Sequence, residues 1–408
     1  MKRKLRIGFA GLGMGAARIM QEIAELDFVE IVAGADLREG ALATFRSRYS
    51  GDAYTSIDAM CKNPKVEAVY VATPHEYHAE HAIAAMNNKK HVIVEKPMAV
   101  TLDEAQAMNE AAERNNVKLL CGHTHSFDAP VRAMMQVVRS GELGKLLMIN
   151  SSYYKNFMYR PWSDHDVEVS RGVVLNQGPH QVDVVRLIGG GLVRSVRATA
   201  ARWDPTRPGE GHYVCYLEFE NGAVASLVFN GYALFDTAEL VWDIGEGGNR
   251  PKNVAEDLEA RRFMRSISGP DRAKKLEERL ERWRFGGTNE GEWFKEEVKR
   301  HQPFFGLTIV SCEHGEIRQS PDGLYIYTEN GRKEVRLKPG VDARIAEMEE
   351  FYDAIMSDRP VFHDGRWGQS TLEVCLAILQ STEQKKEIRM RHQLPVPDFK
   401  EEALFETN

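Results

Sequence analysis

Gly11-Leu12-Gly13-Met14-Gly15-Ala16 is spaced to cradle a phosphate. In the G-x-G-x-x-G/A pattern the first glycine permits a tight turn and the second lets backbone approach a pyrophosphate. A small third residue lets helix and strand pack closely, and the helix N-terminus then faces the phosphate charge. Asp36 follows 20 residues after Ala16, where an acid hydrogen-bonds an adenosine ribose. Its carboxylate would repel a 2′-phosphate, which favours NAD. Arg38, two residues on, can accommodate that phosphate and keeps NADP open. The other use of Asp36 is a helix N-cap. Lys96, in Glu95-Lys96-Pro97, follows a short apolar run at 91–94. A lysine partly desolvated beside a cationic nicotinamide has its pKa lowered toward the range of a general base.

These residues need elements that aim them. Apolar runs at 5–10, 29–35, 66–73, 91–94 and 117–121 read as buried strands. Helical spacing appears at 14–26, in the charged stretch up to residue 49, at 77–86 and at 102–115. Strands alternating with helices predict βαβ units, a doubly wound parallel Rossmann sheet, over residues 1–125. Lys96 then sits at the carboxyl edge, where such sheets bind ligands. Residues 126–408 predict an α+β domain with a large open, mostly antiparallel sheet. Its strands are read at 193–201, 213–219, 223–229, 307–312, 316–319 and 324–328. Glu220-Asn221-Gly222 joins two of them as a hairpin. Helices are expected near 130–140, 175–188, 341–357 and 367–387.

A charged insert, about 251–302, interrupts that sheet. Within 251–300, 13 residues are basic and 11 acidic. Mixed charge at this density predicts a solvated helical excursion. The alternative is an oligomer contact or a cover over the site, anchored by Phe263, Met264, Trp283, Phe285, Trp293 and Phe294.

Composition excludes several classes. The net charge is −7, a poor match for nucleic acid or an anionic membrane surface. No apolar run is long enough to span a bilayer. The five cysteines are scattered without a CxxC pair, which predicts a reducing, cytoplasmic setting without disulfides. His75, His78 and His81 are spaced three apart, but no Asp, Glu or Cys is placed to complete a metal site, and none is expected.

Gly11–Ala16, Val71-Ala72-Thr73-Pro74 with His78 beyond it, and Glu95-Lys96-Pro97 together resemble the Gfo/Idh/MocA family of NAD(P)-dependent oxidoreductases. Order and spacing match over residues 1–125, and helix followed by sheet matches the family's substrate domain. The charged insert has no obvious counterpart. The resemblance implies that Thr73, Pro74, His78, Glu95, Lys96 and Pro97 join the glycine loop around the cofactor. It also implies a homodimer or homotetramer. It draws attention to Leu175-Asn176-Gln177-Gly178-Pro179-His180-Gln181-Val182-Asp183. His180 matches the family's histidine over the substrate. Asn176 replaces the usual acid, and an amide hydrogen-bonds a substrate oxygen without repelling an anion. A second departure is Gly122-His123-Thr124-His125-Ser126-Phe127, where the family often carries an arginine before the phenylalanine. The implied reaction is hydride transfer, with Lys96 as base and His180 as partner or alternate.

Between the two motifs lie Tyr153, Tyr154, Lys155, Tyr159, Arg160, Trp162, His165 and Arg171, aromatic and cationic in an acidic chain. With Asn176 and Gln177 they point to a planar, carboxylated ring substrate; the competing use is a surface or an interface. Asn176–Asp183, the insert and the chain length resemble the family branch that oxidises cis-dihydrodiols of aromatic acids, of the phthalate 4,5-dihydrodiol type. The alternatives are a sugar or inositol dehydrogenase and a dinucleotide-binding sensor without catalysis.

Overall fold

The computed structural model describes residues 3–249, 254–290, 301–338, 342–397 and 404–406. Trp293 and Phe294 lie outside them. The chain forms two compact units. Met1–His123, Ala273–Glu296 and Arg344–Leu372 make the first; Thr124–Arg272, Glu297–Ala343 and Glu373–Asn408 make the second.

The first unit is built on six strands: β1 (Leu5–Ala10), β2 (Val29–Ala35), β3 (Asp52–Tyr54), β4 (Ala68–Val71), β5 (His91–Glu95) and β6 (Leu119–Gly122). Their order is β3-β2-β1-β4-β5-β6, and every pairing is parallel. A parallel sheet carries helices on both faces, so its inner strands are mostly apolar; β4 and β6 are wholly buried. The order reverses between β1 and β4, which puts a ligand crevice at their carboxyl ends. Helix Leu102–Asn115 starts where Thr101 and Glu104 cap each other reciprocally, and ends at Asn116 in the left-handed region. Phe285, Met348 and Phe351, from far along the chain, complete the core around Leu5, Ile7, Phe9 and Phe45.

The second unit holds a nine-stranded sheet: β7 (Leu146–Tyr154), β8 (Val193–Ala201), β9 (His212–Phe219), β10 (Val224–Asn230), β11 (Leu307–Cys312), β12 (Gly315–Ser320), β13 (Gly323–Thr328), β14 (Gly331–Arg336) and β15 (Ile388–Arg389). The order is β14-β13-β12-β11-β7-β10-β9-β8-β15. All pairs are antiparallel except β7 with β10. Helix Gly178–Gly189 is buried along its whole length. Gln181 anchors it to the sheet, donating to Ser151 Oγ at 3.0 Å and accepting from the Tyr213 hydroxyl at 2.6 Å. The opposite face leaves Val214 54% and Tyr216 41% exposed.

Two expectations need correction. The sequence reading has no strand at 146–154, yet β7 is the middle strand of this sheet. Its apolar start runs into Asn150, Ser151 and Ser152, which breaks the hydrophobic alternation. Asn150 accepts from the Ser226 hydroxyl, and Ser151 accepts from Gln181. The insert is also more than a solvated excursion. It forms helices Val254–Ser266 and Arg272–Glu281, and Met264 and Phe285 are buried. Phe285 lies 4.9 Å under the Arg48 guanidinium, and Arg48 grips buried Glu290 through two nitrogens at 2.7 and 2.9 Å. Among the described residues no helix is long and apolar enough to cross a membrane.

Candidate active site

In the first unit, β1 runs into Gly11, whose φ is +89°. A Cβ there would lie 2.8 Å from the Ala72 carbonyl oxygen at the end of β4. Only glycine allows both the turn and this approach. Gly13 then opens helix Met14–Ile23 with no side-chain cap and no acid in the first turn. Ala16 is fully buried against the sheet. A helix start without a competing anion is what a pyrophosphate requires, so the loop fits a dinucleotide.

Asp36, at the end of β2, is not a helix cap. It accepts from the Leu12 amide at 2.8 Å and from the Arg38 amide at 2.8 Å. Thr73, Pro74 and His78 follow β4. The two His78 ring nitrogens lie 2.8 Å from the carbonyl oxygens of Thr73 and Pro97, so one buried ring braces both loops. Burial lowers its pKa, against the pull of those carbonyls. Glu95 accepts from the buried Tyr70 hydroxyl at 3.0 Å, and Lys96 follows it. Burial, then His78 and Lys96, hold His75 well below the usual imidazole range.

Lys96 belongs to the first unit and His180 to the second. His180 occupies the first turn of helix Gly178–Gly189 and is buried. The His125 and His180 rings meet edge to face at 4.7 Å, and Phe305 packs on both at 4.6 and 5.3 Å. His125 Nδ1 lies 2.8 Å from buried Asp128. The Ser126 hydroxyl donates to Asp183, which fixes this turn to the helix. Tyr153 packs on Phe305 at 4.8 Å and donates to Glu246 at 3.0 Å. Glu246 also accepts Lys155 at 2.9 Å and faces Arg160 at 3.6 Å. Burial would raise the Glu246 pKa, but Lys155, Arg160 and His125 outweigh it and hold the carboxyl well below its ordinary range.

Tyr153, Arg160 and His180 thus belong to one neighbourhood. Asn176 is buried and accepts from Gln177 at 2.9 Å. The Trp162 backbone amide donates to the Arg160 carbonyl at 2.8 Å. Arg171 sits apart: its guanidinium pairs with Glu210 at 2.7 Å and is 51% exposed. Glu246, His125, Asp128 and Phe305 were missing from the sequence-derived site. His125 alone carried a signal, as a departure from the family pattern. Among the described residues no group of His, Cys, Asp and Glu is arranged to hold a metal ion.

A family model described as an oxidoreductase family with an NAD-binding Rossmann fold, GFO_IDH_MocA, matches residues 5–123. The model of the GFO/IDH/MocA C-terminal domain matches residues 131–245. A 1-carboxy-3-chloro-3,4-dihydroxycyclohexa-1,5-diene dehydrogenase of Comamonas testosteroni is 34% identical, over 92% of this chain and 94% of its own. A myo-inositol 2-dehydrogenase of Thermotoga maritima is 26% identical over 77% of this chain and 92% of its own. A crystal structure of a dehydrogenase from Bordetella bronchiseptica superposes with a TM-score of 0.86 at 35% identity, covering 95% of this chain and all of that one.

Proposed function

The chain belongs to the Gfo/Idh/MocA family of NAD-binding oxidoreductases, and from that premise we propose that it oxidises a carboxylated cis-dihydrodiol, of the phthalate 4,5-dihydrodiol type, to the dihydroxy aromatic acid. The observation that carries the substrate class is the cluster in the second unit. Lys155 and Arg160 converge on Glu246 beside the His125, His180 and Phe305 rings. Aromatic faces suit a flat ring, and guanidinium and ammonium groups suit its carboxylate. Asn176, in place of an acid, removes a repulsion that a carboxylated substrate would meet. The relative from Comamonas testosteroni, named for a carboxylated dihydroxycyclohexadiene, supports the same class.

Gly11–Ala16, Asp36, the Thr73-Pro74 turn and Glu95-Lys96-Pro97 would hold NAD, which would supply the acceptor for the carbinol hydride. Lys96 takes the hydroxyl proton as the carbonyl forms; His180 is its partner or alternate. The ring ketone then loses the proton of the neighbouring ring carbon and gains one on oxygen, which gives the catechol. Aromatisation draws the reaction forward.

Residues 1–125, together with the later segments of the first unit, carry the cofactor role, and the second unit carries the substrate and assembly roles. Half-exposed Val214 and Tyr216 favour self-association through the open sheet face, as a homodimer or homotetramer. The five buried cysteine thiols suit a cytoplasmic setting.

The test is NADH formation by purified protein offered cis-4,5-dihydroxy-4,5-dihydrophthalate, a monocarboxylated cis-dihydrodiol, myo-inositol and glucose. Turnover of a carboxylated diol alone supports the substrate class. Turnover of inositol or glucose alone overturns it.

A further inference from the structure

We propose that Glu281, on the charged insert, is a positioning residue that keeps the cofactor site selective for NAD over NADP by holding the Arg38 guanidinium down on the glycine loop. An arginine two residues after the β2 acid would ordinarily be free to greet a 2′-phosphate. Here its donors are already engaged. Arg38 Nε donates to Asp36 Oδ1 at 3.1 Å, and one terminal nitrogen donates to Asp36 Oδ2 at 3.3 Å and to the Leu12 carbonyl at 2.6 Å. The other terminal nitrogen donates to Glu281 Oε1 at 3.0 Å. Asp36 grips one side of the fork and Glu281 the far end.

The charge count supports exclusion of a phosphate. Arg284 donates to Glu281 Oε2 at 3.0 Å and also to Glu277. Asp36, Glu281 and Glu277 therefore surround Arg38 and Arg284, and the group is net negative by one. A phosphate monoester carries nearly two more negative charges. To bind, it would have to draw Arg38 away from Glu281 while Asp36 repels it. Glu281 is held in turn by the insert. Phe285 stacks on Tyr49 at 6.3 Å, and Glu290 is clamped by Arg48. Glu281 is itself 52% exposed, so replacing it leaves the buried anchors intact.

The experiment is calorimetric titration of the full-length protein with ADP-ribose and with 2′-phospho-ADP-ribose, which contain the adenosine end alone. In Glu281→Gln the 2′-phosphorylated ligand should bind about tenfold more tightly, as one opposing charge is removed and the guanidinium is released. ADP-ribose should change by less than about twofold. Adding Arg38→Ala to Glu281→Gln should abolish the gain, and Glu281→Asp, which keeps the charge, should retain most of the wild-type preference. An unchanged ratio of the two affinities in Glu281→Gln overturns the proposal. Parallel weakening of both ligands also overturns it, since that is what a purely structural anchor would produce. None of these binding constants depends on which ring the enzyme oxidises.

Discussion

The glycine loop and the histidine cluster are built in opposite ways. The loop works with backbone: a left-handed glycine, an uncapped helix start, and carbonyls braced by one imidazole. The cluster works with side chains drawn from β7, helix Gly178–Gly189 and the loops carrying Glu246 and Phe305. A backbone site is intolerant of volume and largely indifferent to nearby neutral substitutions. A side-chain site depends on charge balance, because each buried charge there requires its partner.

The largest expected effect lies in neither architecture but in the proposed proton acceptor, Lys96. Lys96→Ala should cut kcat about a thousandfold while NAD still binds, as loss of a general base does. Equal losses in kcat and NAD affinity would make Lys96 a cofactor ligand instead, and a larger kcat loss in His180→Ala would exchange the two roles. Next comes the test of backbone intolerance. Gly11→Ala adds a Cβ 2.8 Å from the Ala72 oxygen at a φ of +89°. It should weaken NAD binding at least about tenfold and cost about 2 kcal/mol of stability. Unchanged calorimetric affinity would break the contrast.

The matching test of charge balance is Glu246→Gln, nearly equal in volume. It should destabilise by about 2 kcal/mol at neutral pH, since Lys155 and Arg160 lose their shared partner. The folded carboxyl lies well below its ordinary range, so folding favours the ionised form. Its contribution is complete above the usual carboxylate pKa and declines as the pH falls toward the folded value. Thermal midpoints followed into acid should therefore fall more steeply for wild type than for the variant; parallel curves would remove Glu246 from the balance. The smallest effect sharpens the boundary of the cluster. Arg171→Ala, at an exposed pair with Glu210, should change KM by less than about twofold. A tenfold rise would return Arg171 to the substrate site.

The same contrast explains what could be read beforehand. The glycine loop, Asp36 and Lys96 lie on contiguous strand-loop units whose apolar runs announce the strands. β7 was illegible because Asn150, Ser151 and Ser152 look like loop until Ser226 and Gln181 are seen to satisfy the first two. Glu246 lay hidden in Asp243-Ile244-Gly245-Glu246-Gly247, a stretch that reads as a turn. Its importance comes from Tyr153, Lys155 and Arg160, more than eighty residues upstream. Arg38 was seen as a phosphate acceptor because nothing local reveals that an insert residue occupies it.

The first unit's core also has a consequence for how the protein is made. Phe285, Met348 and Phe351 pack among residues of the first fifty, Tyr352 donates to the Arg3 carbonyl, and Leu120 pairs with Asp364. A nascent chain that has left the ribosome only as far as His123 carries every strand of the six-stranded sheet but lacks the side chains that seal it. It must wait, apolar surface uncovered, until residues up to Leu372 emerge. The dinucleotide fold begins upstream of the nine-stranded sheet yet is finished late in synthesis, after most of that sheet has already been translated.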